Sequence, residues 1–89
     1  MSDSGETFSI RVVDDDGDGV AGVSVVCAYG AASGTEREKT DSDGWAEFPI
    51  IYPVTGGPAI PIHTVWVNGD EVGDRLYPED GETFSFNLP

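Results

Sequence analysis

Apolar residues recur at every second position in several short segments, which is the period of a β-strand with one buried face. Segment 7–13 places Phe8, Ile10 and Val12 on one face and alternates them with polar residues, and segment 83–88 repeats the pattern with two phenylalanines. Every stretch of ten residues with a helical spacing of apolar positions is interrupted by one of the 12 glycines or 6 prolines. The pattern therefore predicts an all-β chain with almost no helix.

Seven such segments occur, and their apolar, charged and proline residues indicate which strands are central and which are edges. Segment 23–29 is apolar on both faces, which predicts a central strand whose second face is either covered or partly wet. Charges fill segment 36–40, as in an edge strand protected from pairing with another chain. Pro49 cannot donate to a ladder, so its segment needs an edge or a bulge there. The predicted strands are 7–13, 23–29, 36–40, 45–51, 62–67, 70–72 and 83–88.

Turn residues separate these segments, and the clearest turn is Asn68-Gly69, which predicts a type I′ hairpin. Seven short strands in a chain of 89 residues indicate a seven-strand antiparallel β-sandwich, either immunoglobulin-like or prealbumin-like. We expect a single domain over residues 7–89, preceded by a flexible segment over residues 1–6.

The charge balance adds information about the environment. Acidic residues number 17 against 4 basic ones, a net charge of -13, and lysine occurs once, at Lys39. The carboxylates on such a surface repel one another in dilute buffer. At about 1 M salt the ions screen this repulsion, because the Debye length falls to about 3 Å. This composition is typical of proteins from molar salt, as in halophilic archaea; an ordinary acidic domain is the alternative. Nucleic acid is excluded as a partner, because phosphate binding needs clustered Lys and Arg.

The expected cellular location is based on three features: membrane-spanning segments, signal peptides and disulfides. Its apolar runs are far shorter than the roughly 18 residues of a membrane helix, so membrane insertion is not expected. No basic segment precedes an apolar one near Met1, and the single cysteine, Cys27, cannot form an internal disulfide. These features favour the cytoplasm, with a domain of a cell-surface protein as the alternative.

Two sequence pieces carry a resemblance to known domains. The first runs from Val12 through Asp14 and Gly19 to Val25, and the second is Thr40-Asp41-Ser42-Asp43-Gly44-Trp45-Ala46-Glu47-Phe48. Together they resemble the turn-and-strand motifs of carboxypeptidase-regulatory-like and transthyretin-like (prealbumin-type) sandwich domains. The resemblance implies this sandwich fold and an accessory or adhesive role without catalysis.

The first of these pieces also begins like a calcium-binding loop. The twelfth position of an EF-hand loop, which needs a bidentate Glu, is Val25 here, so an EF-hand is excluded. In a sandwich of alternating up and down strands, however, loops 14–22 and 41–44 emerge at one end. The carboxylates there form either a Ca²⁺ or Mg²⁺ site or a solvated acidic surface that collects K⁺ or Na⁺ loosely. The candidate ligands are Asp14, Asp16, Asp18, Asp41 and Asp43.

Loops 30–35, 52–61 and 73–82 form the opposite end of the sandwich, where the proline-rich loop 52–61 is less acidic. This loop either docks another protein or folds over the end of the core. The candidate partner-binding residues are Tyr52, Val54, Ile60 and Trp45. A carbohydrate platform built on Trp45 or Trp66 is a further alternative, because exposed aromatic rings stack on sugars and small sandwiches also use Trp in the core.

Catalysis is not expected. His63 is the sole histidine, and Cys27 lies in the middle of an apolar strand, so a nucleophile with its base cannot be assembled. We therefore expect a non-enzymatic structural or protein-interaction module adapted to high salt, monomeric in isolation and without an organic cofactor. The alternative is a small-ligand or carbohydrate-binding module with a divalent-cation site at its acidic end.

The acid excess makes a testable prediction about salt. The free energy of unfolding should rise steeply as KCl is raised to molar concentration, because screening removes repulsion among the carboxylates. Chemical denaturation with urea, followed by circular dichroism at several KCl concentrations, measures this dependence. Full stability in dilute buffer would contradict the high-salt interpretation.

Overall fold

The strands predicted from the sequence are all present in the computed structural model, which describes residues 6–30 and 34–89. They are β1 (Thr7–Val13), β2 (Ser24–Tyr29), β3 (Thr35–Lys39), β4 (Trp45–Pro49), β5 (Ile62–Val67), β6 (Asp70–Leu76) and β7 (Thr83–Asn87). The described residues contain no helix, and so none long and apolar enough to cross a membrane. The expected flexible segment 1–6 lies, apart from Glu6, outside the described residues.

The strands form two sheets, one of three strands in the order β4-β1-β7 and one of four in the order β3-β2-β5-β6. The prediction of an antiparallel sandwich is correct for every pair except β1 with β7, which is parallel. Successive strands alternate in direction, so two odd-numbered strands that become neighbours must run the same way. Strand direction is fixed by the connections, whereas the choice of neighbour is made by packing.

The core lies between the two sheets and confirms the alternation read from the sequence. Phe8, Ile10 and Val12 of β1 are fully buried, and the Phe8 ring stacks on Phe48 of β4 with centroids 5.7 Å apart. Phe84 of β7 meets Phe8 edge-on at 6.0 Å. Burying aromatic rings of this size supplies much of the stabilisation of a small domain.

The predicted roles of individual strands also hold. Strand β2 is central in its sheet, and its outward residues are half-buried, so its second face is partly wet. The charged strand β3 is an edge, exposed at every position, and Pro49 lies in the edge strand β4. Asn68 and Gly69 have φ values of 53° and 87°, as a type I′ hairpin requires.

Strand β6 is longer than predicted, reaching Leu76 instead of residue 72. Gly73 and the polar residues beyond it break the apolar alternation, but backbone pairing with β5 continues to Leu76 opposite Ile62. Gly73 is also where the two sheets approach closely, since a Cβ there would lie 2.8 Å from the Phe86 ring of β7. The absence of a side chain lets the edges of the two sheets close over the core.

Two connections cross from one sheet to the other at the same end, as predicted, and a buried threonine joins them. The first crossover is 14–23 and the second is 40–44. The Thr40 hydroxyl donates to the Val20 carbonyl oxygen at 2.6 Å and accepts from the Val23 N–H at 2.9 Å. The Thr40 N–H donates to Val23 O, and Thr40 O accepts from Gly22 N–H. Thr40 therefore connects the two crossovers through four hydrogen bonds.

We predict that Thr40→Val, which keeps the shape of the side chain, lowers the free energy of unfolding by about 1–3 kcal/mol, because a buried donor and acceptor lose their partner. Thr64→Val is the matched control: Thr64 is also buried, but its hydroxyl contacts the ring of exposed His63, which water can solvate instead. Urea unfolding of both variants in molar KCl measures the difference. Equal losses would show that Thr40 has no special role.

Candidate functional site

The acidic end of the sandwich brings three of the five candidate metal ligands together. Carboxylate oxygens of Asp14, Asp16 and Asp18 lie within 4.8 Å of one another, and Asp16 and Asp18 are exposed. Asp41 and Asp43 are not part of this group, although the backbones of the two loops touch. A Cβ on Gly19 would lie 1.8 Å from the Asp43 carbonyl oxygen, so only glycine allows this contact.

The two loops have the same local structure, built on the sequence Asp-x-Asp-Gly-x. The first aspartate of each, Asp14 or Asp41, accepts hydrogen bonds from the backbone N–H groups two and four residues later, at 2.9 and 3.0 Å. The glycines, Gly17 and Gly44, have φ values of 85° and 89°, which L side chains rarely adopt. The motif therefore specifies a braced turn, and Asp14 and Asp41 have a structural role in it.

This arrangement has electrostatic consequences. Hydrogen bonds from the N–H groups of Trp45 and Asp43 stabilise the charged carboxylate of Asp41 and hold its pKa below the ordinary value. Asp14 likewise commits one oxygen to its turn, which leaves its second oxygen and the carboxylates of Asp16 and Asp18 facing water. Carboxylate oxygens are the type of ligand that a hard cation such as Ca²⁺ takes, but three carboxylates supply only part of the roughly six to eight oxygens that Ca²⁺ needs.

Trp45 lies at this acidic end and not beside the other candidate partner residues. It is half-buried on the outer face of its sheet, with the Arg11 guanidinium 5.6 Å from its ring centroid. Arg11 Nε also donates to the Asp43 carbonyl oxygen at 3.2 Å. One ring face of Trp45 is therefore covered by a cation of the chain itself.

The opposite end of the sandwich contains an open pocket of about 390 Å³. Loops 52–61 and 77–82 form it, as expected from their shared end. Tyr52 and Tyr77 are 49% and 70% exposed, so both rings present surface to solvent. The lining residues are Tyr52, Pro58, Ala59, Tyr77, Pro78, Glu79 and Asp80.

Hydrogen bonds to β1 and the residue before it hold the pocket walls in place. The Tyr52 hydroxyl donates to a carboxylate oxygen of Glu6, and this bond raises the pKa of Tyr52. An Asp80 carboxylate oxygen accepts from the Thr7 N–H at 3.2 Å, and Gly81 N–H donates to Thr7 O. Glu79 and Asp80 thus stay at the rim, close to both tyrosines.

The other candidate residues of loop 52–61 have different environments. Val54 is fully exposed, outside the pocket. Ile60 is buried in the core and donates its N–H to Ile51 O, so it does not offer a surface for a partner. Ile60 therefore closes the end of the core, which is one of the two alternatives that the sequence left open, while Tyr52 of the same loop is half-exposed. Sequence reasoning did not single out Tyr77 or Glu79 for this site, although their loop was expected at the same end.

Cys27 and His63 do not form a reactive pair. Cys27 is fully buried between the sheets, where burial raises the pKa of its thiol to about 12. His63 is exposed, and its Nδ1 lies 2.7 Å from the Thr64 hydroxyl. A thiol that stays protonated at neutral pH is a poor nucleophile.

We predict that Asp41→Ala lowers the melting temperature at neutral pH more than Asp43→Ala does, because only Asp41 of these two accepts hydrogen bonds through its carboxylate among the described residues. The lowered pKa means that this stabilisation is present above the ordinary carboxyl pKa of about 4 and is lost as pH falls through the folded-state value. Thermal unfolding from neutral pH down to about pH 3 should therefore show the Asp41→Ala deficit shrinking in acid. A deficit that is independent of pH would contradict this role.

Comparison with known proteins shows the family of the chain. No curated protein and no solved structure matches the chain. A family described as a domain of unknown function, DUF7382, matches residues 3–48, which include both crossovers, the strands β1 to β3 and all of β4 except Pro49. Since the match covers more than half of the 89 residues, the protein belongs to the DUF7382 family.

Proposed function

We propose that this protein is a non-enzymatic interaction module that works at high salt and binds a cationic side chain of a partner protein between Tyr52 and Tyr77. The observation that carries the proposal is the pocket itself, where two exposed tyrosines and the carboxylates of Glu79 and Asp80 surround one open space of about 390 Å³. Pockets of this size bind small groups of a ligand, and their few polar residues select the chemistry.

A cation fits this set of groups better than an anion or an apolar side chain. The faces of tyrosine rings carry partial negative charge and attract Lys or Arg. Glu79 and Asp80 add full negative charges, with Glu6 beside Tyr52. An Arg of the partner, stacked on a ring and bonded to a carboxylate, would use both features.

High salt is compatible with such a contact. Screening at about 1 M salt removes interactions beyond about 3 Å, so long-range attraction toward the net charge of -13 is lost. Stacking and direct hydrogen bonds act at contact distance and persist. Binding in molar salt therefore depends on the geometry of the pocket, and the exposed aspartates of the acidic end hold K⁺ or Na⁺ loosely.

The strand order favours the prealbumin-like over the immunoglobulin-like form of the sandwich. In immunoglobulin constant domains the first two strands share a sheet and the third lies in the other. Here β1 and β2 lie in different sheets, and β3 pairs with β2. This order agrees with the resemblance to transthyretin-like and carboxypeptidase-regulatory-like domains, whose accessory roles support a binding function.

An enzymatic role is less well supported by the chemistry present. The thiol of Cys27 is buried and protonated, and His63 lies outside the core. The carboxylates of Glu79 and Asp80 at the pocket rim are exposed to solvent, where they can meet a charged group of a ligand.

A second candidate is carbohydrate binding in the same pocket. Tyrosine rings stack on sugar faces, and carboxylates accept hydrogen bonds from sugar hydroxyls. The tryptophans are less suitable for this, because Arg11 covers a face of Trp45 and Trp66 is half-buried in β5. The pocket tyrosines are therefore the better platform for either ligand.

We predict that Nα-acetyl-arginine amide, added to ¹⁵N-labelled protein in molar KCl, shifts the amide resonances of Tyr77, Glu79 and Asp80. Tyr77→Ala should abolish these shifts because it removes the most exposed ring of the pocket. Val54→Ala, which truncates an exposed side chain outside the pocket, should leave them unchanged.

The probe is paired with two controls. Nα-acetyl-citrulline amide has the same shape without the charge and should not bind, whereas methyl glucoside tests the carbohydrate alternative. Shifts caused by the glucoside but not by the arginine probe would replace the proposal with the second candidate. Equal shifts from arginine and citrulline would overturn the role of charge.

A further inference from the structure

We infer that the outer edge of β7 is an interface at which a second copy of this chain adds its own β7, antiparallel and centred on Ser85. The inference goes beyond the proposed binding function, because no residue of β7 lines the pocket. It rests on the edges of the two sheets, on the direction of the free backbone groups of β7 and on the sequence of that strand.

Three of the four sheet edges in the described residues carry features that prevent pairing. Strand β3 has four consecutive charged residues, and β4 contains Pro49. Strand β6 combines charges with a register shift against β5 and with Arg75 at a φ of 55°, which lies outside the β region and interrupts the regular spacing of its outer backbone groups. These edges are protected against a further strand.

Strand β7 has none of these features. Its sequence is Thr-Phe-Ser-Phe-Asn, without a charge, a proline or a glycine, in a chain with a net charge of -13. It is the last strand of its sheet, and no described residue pairs with its outer side. An uncharged, regular edge of this kind is a template for strand addition.

The hydrogen bonds to β1 fix which backbone groups of β7 are free. Ser9 N–H donates to Glu82 O, and Leu88 N–H donates to Val13 O. In a parallel ladder this pattern alternates, so the N–H and C=O groups of residues 84 and 86 face β1. Those of Thr83, Ser85 and Asn87 therefore point to the open edge.

This alternation matches a two-fold antiparallel pairing centred on Ser85. In that register Ser85 faces Ser85 of the second copy and Thr83 faces Asn87, and each is a pair whose free N–H and C=O groups meet. Phe84 then faces Phe86 across a pair without hydrogen bonds, where side chains come closest. One strand thus supplies both halves of a complementary interface.

Burial and charge agree with a second copy as the occupant. Phe84 and Phe86 are only half-buried, although they face the core, because the sheet ends at β7. Pairing would place two further phenylalanines beside them and extend the core across the two-fold axis. The nearest carboxylate on the strand, Glu82, would face Leu88 and not another acid, so the register brings no like charges opposite each other.

Salt should control this association. Two chains that each carry a charge of -13 repel one another in dilute buffer, and the chain is then monomeric. Molar KCl screens the repulsion to about 3 Å and leaves the backbone pairing intact. We expect the dimer to appear as KCl is raised.

The register is tested by oxidative cross-linking of single-cysteine variants in molar KCl. Ser85→Cys should form a disulfide-linked dimer, because Cα atoms of a hydrogen-bonded antiparallel pair lie about 5.5 Å apart, within the range of disulfides. Thr83→Cys is the matched control: its copies would lie about 14 Å apart along the strands and should not cross-link. Native Cys27 is buried and does not interfere.

The interface is tested separately by sedimentation in molar KCl. Wild type should sediment as a dimer and Ser85→Lys as a monomer, because two ammonium groups would meet at the axis. Ser9→Lys makes the same change on the neighbouring strand β1 and should remain dimeric. Circular dichroism of each variant checks that it folds.

A wild-type monomer in molar KCl would overturn the inference, as would cross-linking of Thr83→Cys with the same efficiency as Ser85→Cys. A dimer unaffected by Ser85→Lys would also overturn it, since association would then use another surface. None of these outcomes changes the result expected from the titration with Nα-acetyl-arginine amide. The dimer and the proposed cation-binding function are therefore tested independently.

Discussion

The close contact between two crossover connections is the constraint on which the arrangement of the sheets depends. Each sheet alone is a few strands with one apolar face, and the two faces form a core only when they are held opposite each other. Thr40 provides the hydrogen bonds between the crossovers, and Gly19 leaves the space in which the Asp43 carbonyl lies. A side chain at Gly19 would push the two loops apart, and loss of the Thr40 hydroxyl would remove two of the four hydrogen bonds that connect them.

The two ends of the sandwich have different properties, because the crossovers meet at one end only. At the crossover end, the aspartates that begin each turn use their carboxylates to brace backbone N–H groups, so the negative charge there is partly structural. At the opposite end, the loops reach over the core through Ile60 and leave Tyr52 and Tyr77 in solvent. Rigid turns at one end and exposed aromatic rings at the other are consistent with a scaffold that presents a binding surface.

Much of the fold could be predicted from short-range patterns. Alternation located β1 and β5 to the residue, charge identified β3 as an edge, and Asn68-Gly69 marked its hairpin, because each depends on neighbours along the chain. The candidate site was predicted less completely. The sequence placed loops 52–61 and 73–82 at one end. It could not tell that Tyr77 and Tyr52 would line one pocket while Ile60 turned inward, since these directions are set by packing.

The amino-acid sequence by itself determined the strands apart from the second half of β6, their up-and-down order, the acidic surface and the turn motifs, since hydrophobic period, charge and φ preference are properties of local segments. Only the tertiary structure decided that β7 lies beside β1, which makes that pair parallel, and that Thr40 and Gly19 join two distant loops. It also placed Trp45 under Arg11, away from the tyrosine pocket. These features depend on how residues far apart in the chain pack together, so a local sequence pattern does not predict them.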